Sequence, residues 1–316
     1  MVSQLLWERA RARSVLTSAP KASIASKLAP AVGQGKALSE HHANRHTAMS
    51  TPAPLPTHLP NWAKRLADLY FAGTSAMFLL HGNTNDLVPV TAGDRPRYGS
   101  LNEFLATQLF GRFDLVLGYD LAHGIRAYAG GDAERQRLMV GLISRRLGDP
   151  EKLPRDPAQA LFLLDRLVLA NLTAKEADRI RIAIVFDFAS FVVPDQERGG
   201  AATATNLVTM LKWAANPYVK RSNLAFILID ERLGDLHDRL VGSPHVNAIE
   251  ITLPDESERL RFLQTITDGI EVAAFSDFSV QLLAQMTAAV TLADMAVLVE
   301  SARRSGERLD EKRFKA

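Results

Sequence analysis

The chain contains no cysteine. Disulfides, zinc–thiolate sites and thiol nucleophiles are thereby excluded, and the composition fits a reducing compartment. A cytoplasmic location is the expectation. No apolar run approaches the ~18 residues of a membrane span, so no membrane role is expected. The formal net charge is only +2, too small to argue for a nucleic-acid partner. There is no Gly-x-Ser-x-Gly elbow, no His-Glu-x-x-His and no dinucleotide-binding glycine set, which leaves hydrolase readings built on those motifs and dehydrogenase readings without support. His81, His237 and His245 share no metal-ligand spacing.

What is present is ordinary globular sequence. At 316 residues, 47% hydrophobic and 23% charged, the chain can form two domains, or one large α/β domain with an appendage. Residues 1–48 stand apart, rich in Arg, Lys, Ala and Ser, with Glu8 and Glu40 as their acids. An organelle transit peptide has this composition. A disordered or misassigned tail is the simpler account, since Met49 followed by Ser-Thr-Pro-Ala-Pro is the polar start a domain usually has. The tail's His41, His42 and His46 have no carboxylate cluster beside them. Gly33-Gln34-Gly35-Lys36 has a phosphate loop's ending, but no earlier glycine at the right distance, and Ala37 where Ser or Thr is needed. We read residues 1–60 as a disordered basic and Pro-rich tail.

Beyond the tail, short apolar runs alternate with helical periodicity. Asn61 to Phe71 has a cap candidate in Asn61 and Trp62, Leu66, Leu69 and Tyr70 at helical spacing. Met77 to His81, Asp114 to Tyr119, Arg181 to Phe188, Leu224 to Asp230 and Ala248 to Leu253 read as strands, and Ile125 to Ala129 as a short edge piece. Pro89 and the polar stretch Thr91 to Tyr98 keep the chain extended, so a helix starts only at Ser100, where Ser100 and Glu103 form a capping box. Helical patterns follow, with Leu138, Leu142 and Ile143, then Ala160 to Ala170, then about Thr205 to Ala215. Five strands alternating with helices predict a parallel doubly wound sheet over 61–253. After Pro254 only helices are predicted: one capped by Asp255 and Glu258, one near Ser279 to Met286, and one from Thr291 and Asp294 to Gly306. The 254–316 region is thus a small all-helical domain.

This order, with its local sequences, resembles the AAA+ ATPase family. Leu224 to Leu263 is similar to that family's sensor-1 strand, its Asp-Leu-x-x-x-Leu helix and the Leu-Pro-Asp-Glu-x-x-Arg approach to the lid. Thr291-Leu292-Ala293-Asp294-Met295 resembles a later lid segment, and Ile182 to Asp187 the Walker B strand. The resemblance implies an α/β domain with a five-stranded parallel sheet flanked by helices and a small helical lid. It also implies ATP and Mg²⁺ as cofactors, with Asp187 on the metal and Gly82, Asn83, Asn85, Asp187 and Glu231 around the nucleotide.

The departures point elsewhere. The turn His81-Gly82-Asn83-Thr84-Asn85-Asp86 has one glycine, no lysine and an added aspartate. Two unit charges about 4 Å apart at an effective dielectric of about 20 interact by about 4 kcal/mol, so replacing attraction by repulsion outweighs a few main-chain hydrogen bonds at about 1 kcal/mol each. The next helix begins many residues later, so its dipole is not aimed at the turn. Phe188 stands where the water-activating glutamate belongs, a loss of about 10²- to 10⁴-fold. Gly242-Ser243-Pro244-His245 stands where the finger arginine belongs, and Asp230 or Glu231 adds negative charge at sensor 1.

The expectation is therefore a AAA+-like module without a working phosphate loop. It resembles the degenerate amino-terminal module of bacterial tandem AAA ATPases, with no catalytic residue and no cofactor. Sister subunits, as a hexamer, or a second ATPase module are its expected partners. The end at Lys315-Ala316 falls where such proteins continue, so a truncated or split version is expected. Two alternatives stand beside it. One is a divergent ATPase holding nucleotide at Gly82, Asn83 and Asn85 with magnesium on Asp187. The other, ranked last, is a nucleic-acid partner for the basic tail.

Overall fold

A computed structural model describes residues 59–92, 95–306 and 308–310. The tail readings, including Gly33 to Lys36, the three tail histidines and Met49, lie outside the described residues. Leu59 is buried and belongs to the main core.

Helix α1 (Asn61–Phe71) buries Ala63, Leu66, Ala67 and Tyr70. Pro60 is the residue that caps it, not Asn61, which already lies inside the helix. Strand β1 (Met77–Gly82) follows. The extended stretch after it is a two-stranded hairpin, β2 (Val88–Ala92) against β3 (Arg95–Gly99). Helix α2 (Leu101–Phe104) begins at the expected cap: Ser100 Oγ accepts from the Glu103 N–H, and a π-helical turn continues it to Leu109.

Strand β4 (Leu115–Asp120), fully buried, is followed by β5 (Gly124–Ala127). Helix α3 (Ala133–Arg146) turns Met139 and Ile143 inward; Leu138, expected to be on its apolar side, is exposed. Helix α4 (Pro157–Thr173) buries Leu161, Leu164, Leu167 and Val168, as the spacing predicts. Then come β6 (Ile182–Phe186), α5 (Ala201–Ala215), α6 (Pro217–Arg221), β7 (Leu224–Ile229), α7 (Asp238–Val241) and β8 (Val246–Ile251). Helix α5 starts four residues before the expected Thr205, because Thr203 Oγ1 accepts from the Gly200 N–H and caps an earlier turn.

The main sheet has six strands in the order β5-β4-β6-β7-β1-β8. The five expected strands are parallel, and β5 adds an antiparallel edge beside β4. An apolar run such as Ile-Ala-Ile-Val-Phe is buried along its whole length because helices cover both faces. On one face Trp213 stacks on Phe226 with ring centroids 4.8 Å apart, and its indole N–H donates to Asp165 at 2.7 Å.

Helices α8 (Glu256–Ile266), α9 (Val280–Met286) and α10 (Leu292–Ser305) form a second, smaller core around Phe262, Leu283 and Met295. Arg259 is buried there and donates to the Pro254 and Ala284 carbonyls. The hairpin joins the two cores. Val88 and Val90 enter the first, while Leu87 and Tyr98 pack on the second, Tyr98 lying edge-on to Phe262 at 4.8 Å.

Candidate functional site

The turn after β1 lies at the carboxyl end of the sheet, where open α/β sheets hold ligands. Its main chain is bonded to its neighbours. The Gly82 N–H donates to the Glu231 carbonyl (3.0 Å), the Asn83 N–H to the Ile251 carbonyl (2.8 Å) and the Thr84 N–H to the Gly82 carbonyl (2.8 Å). Gly82 has φ +92°, and a Cβ there would lie 2.7 Å from the Ile251 oxygen, so glycine is required for this close approach. The Asn85 amide donates to the Glu231 carboxylate. Four of the five expected site residues, Gly82, Asn83, Asn85 and Glu231, thus lie together: Gly82 and Asn85 bond to Glu231, while Asn83, next to Gly82 in the chain, bonds to Ile251 and Asp86.

Asp86 is buried within the same turn and accepts from the Asn83 amide (2.8 Å) and its neighbour Leu87 N–H (2.7 Å). It also accepts from the N–H groups of Leu292 (3.0 Å) and Ala293 (2.9 Å). These open helix α10, whose Thr291 hydroxyl caps the Asp294 N–H at 3.0 Å. The first turn of α10 therefore has three donors satisfied, two of them by a carboxylate from across the structure. The helix that follows the turn in sequence begins at Leu101, as expected, but a helix from the lid does point its positive end at the turn. Sequence spacing carries no sign of this contact.

The fifth expected residue, Asp187, is set apart, one residue beyond β6 and separated from β1 by β7. Its Oδ2 accepts from the Asn102 amide (3.3 Å), the Tyr128 hydroxyl (3.3 Å) and the Arg126 guanidinium (3.4 Å). Arg126 also holds Asp120, in the register position beside Asp187, and His123 Nδ1 lies 3.0 Å from the same carboxylate. Burial pushes the Asp187 carboxyl above its ordinary value, outweighing the opposing pull of Asn102, Arg126 and Tyr128. For Asp120, burial is the largest single influence and acts upward, but the bonds from Arg126 and His123 together hold its carboxyl below the ordinary range. Burial, then the Asp187 charge, raises Tyr128.

The sequence reading missed Arg126. The available signal was an arginine between Ile125 and Ala127 in an apolar edge strand, a position that asks for a carboxylate partner. Phe188 follows Asp187 in the left-handed region (φ 53°) with its ring exposed. Asp230, which with Glu231 was a candidate for the sensor-1 position, accepts from the Ser190 N–H at 2.7 Å and so ties down the turn after β6. In the segment expected to carry a finger arginine, His245 Nδ1 lies 3.0 Å from Lys220 Nζ.

A cleft of about 1570 Å³ opens beside the first turn, lined by Asn83 and Asp86, by Leu59, Trp62 and Lys64 near α1, and by Arg261 of α8. Gly82, Asn85, Asp187 and Glu231 do not line it. Among the described residues no group of three or more His, Asp or Glu side chains is placed to hold a metal ion. No helix among them is long and apolar enough to cross a membrane.

No curated protein matches this chain. Among solved structures, one in the E. coli MS115-1 HORMA:CdnC:Trip13 complex is similar over 74% of this chain and 68% of its own, at 13% identity and a TM-score of 0.44. That likeness is too loose to say anything of this chain's activity or partners. The family described as AAA+ chaperone, N-terminal Rossmann-like domain, matches residues 51–252. That span is most of the α/β region built above, and the chain belongs to this AAA+ chaperone N-terminal domain family.

Proposed function

We propose that this chain is a AAA+-like interaction module that does not turn over ATP, working against sister subunits or an active AAA ATPase module. The observation that carries the reading is Asp86. It supplies the α10 N-terminus with a negative charge from within the protein, at a turn where a phosphate-binding loop would present donors to a ligand. The groups that a triphosphate and magnesium would need do not fit them. The Gly82 and Asn83 N–H groups are bonded to carbonyls, the turn has no lysine, and Asp187 already faces the Arg126 cation. A magnesium ion there would have to displace a guanidinium, and a phosphate would meet Asp86. What remains is a surface for protein contacts, with hexamers or a separate ATPase module as the proposed partners and the cytoplasm as the proposed compartment.

Calorimetric titration with a non-hydrolysable ATP analogue and Mg²⁺ tests this. No binding is expected at micromolar concentrations, and no ATP turnover above background. Micromolar, magnesium-dependent binding, or turnover that Asp187→Ala abolishes, would establish the divergent ATPase instead.

A further inference from the structure

We propose that the cleft beside the first turn is filled by this chain's own residues 51–58, Thr-Pro-Ala-Pro-Leu-Pro-Thr-His. The inference stands apart from the interaction reading and concerns what covers the junction of sheet and lid. Two observations point to this occupant before any question of fit. The described chain enters at the cleft: Leu59 and Pro60 line it, and Leu59 is buried in the main core. Whatever precedes Leu59 therefore starts from the cleft's own wall. The family match begins at residue 51, so the Pro-rich end of the tail goes with the domain and not with the basic residues before it.

The fit agrees. At about 1570 Å³ the cleft exceeds the ~300–1,000 Å³ of an ordinary small-molecule pocket. One wall is the face of α8 carrying Ser257, Glu258, Arg261, Gln264 and Thr265, about 12 Å long at ~1.5 Å per residue. Eight extended residues reach about 25 Å at ~3.1 Å each, enough to run from Leu59 past that wall. Trp62 and Tyr98, both half-buried, stand in the lining. Aromatic-lined grooves take Pro-rich segments because such a sequence loses little freedom on being held extended. Every residue from Thr51 to Pro56 is a proline or precedes one.

Charge points the same way. Four cations and five acids line the cleft, so a charged ligand gains little there, and residues 51–57 carry no charge. Attachment at Leu59 makes the binding intramolecular, so modest contacts suffice. The segment reaches from α1 to α8 and braces the lid beside the tie that Asp86 makes. Any other ligand of the cleft has to displace it first.

The test is hydroxyl-radical footprinting of the full chain, read by mass spectrometry at Trp62 and Tyr98. Replacing residues 51–57 by a Gly-Ser repeat in the full chain is expected to raise labelling of both at least threefold. Tyr218, exposed outside the cleft, is expected to stay constant. The lack of native cysteine allows a second measurement with the prolines left in place. Leu55→Cys is expected to cross-link through a short bismaleimide to Gln264→Cys in the cleft wall, and not to Gln281→Cys, exposed on α9. Labelling of Trp62 and Tyr98 that the replacement leaves unchanged, or equal cross-linking to both positions, overturns the proposal. Protection that appears only as protein concentration rises places a second copy in the cleft and overturns it as well.

Discussion

Asp86 and Leu292 lie 206 residues apart in sequence, and the carboxylate of the first accepts from the main-chain N–H of the second at 3.0 Å. This bond, with its neighbour to Ala293, fastens the lid to the carboxyl end of the sheet. Asp86→Ala removes a helix cap and leaves two N–H groups without a partner, one of them on the buried Leu292. Capping losses of about 0.5–2 kcal/mol and orphaned donors at about 1–3 kcal/mol predict a loss of about 2–3 kcal/mol in lid stability. Hydrogen exchange should show faster exchange in α10 with β6 unchanged. Asp86→Asn keeps one acceptor and should lose about 1 kcal/mol.

Arg126 predicts a larger effect. It is the cation facing both Asp120 and Asp187, which are buried side by side in register on neighbouring strands. Arg126→Ala leaves two buried like charges without their guanidinium, with His123 beside Asp120 alone, and breaking such a pair, its cation partly exposed, costs about 3 kcal/mol. The loss should grow as pH rises and both carboxyls ionise, and shrink in acid. Urea melts at pH 4 and pH 7 would show it. Equal losses at both pH values would mean that Arg126 acts through packing alone.

The parallel sheet and the lid were legible in sequence because each strand is a short apolar run between helical patterns, and because Ser100, Asp255 and Thr291 announce their helices. The hairpin was harder. Pro89 argues against a central strand, but proline is tolerated in an isolated two-stranded ribbon, and Tyr98 reads as polar-loop tyrosine until Phe262 is placed beside it. Of the site, the residues around Gly82 could be named because they are contiguous in sequence. The partners of Asp86 and Asp187 could not, since they come from an edge strand and a distant helix. Local periodicity says nothing of which helix end meets which turn.

Asp187 predicts a pH dependence of unusual sign. Its carboxyl is raised in the folded state, chiefly by burial. The folded protein therefore holds this proton more tightly than the unfolded chain, and ionisation works against folding. The penalty begins as pH climbs through the ordinary carboxylate value, is complete above the raised folded value and is absent well below both. Asp187→Asn should accordingly stabilise the protein at pH 7–8, each kcal/mol raising Tm by about 2–4 °C, with no gain near pH 3. Asp120 and Asp114 run the other way. Both are held low in the folded state, by Arg126 and Arg181 respectively, against burial. Their contribution is present above the ordinary value and lost as pH falls through the folded one. A thermal-melt series of wild type against Asp187→Asn from pH 3 to pH 8 separates the Asp187 penalty from the stabilisation by Asp120 and Asp114.

Phe188 provides the last prediction. If the missing water-activating carboxylate were the only fault, Phe188→Glu would restore hydrolysis by the factor of about 10² to 10⁴ that a general base contributes. The ring is exposed, so a glutamate fits the space, although the left-handed backbone at φ 53° aims it as it aims the phenyl group. A general base acts only on a water held beside a bound phosphate, and the groups that would bind one are engaged elsewhere: Gly82 and Asn83 by carbonyls, Asp187 by Arg126. Phe188→Glu should therefore leave phosphate release at background, and adding Asn85→Lys should not rescue it, because Asp86 still opposes the incoming charge. Coupled-enzyme assay of both variants decides the matter, and turnover appearing with Phe188→Glu alone would mean that nucleotide already binds and only its hydrolysis had been lost.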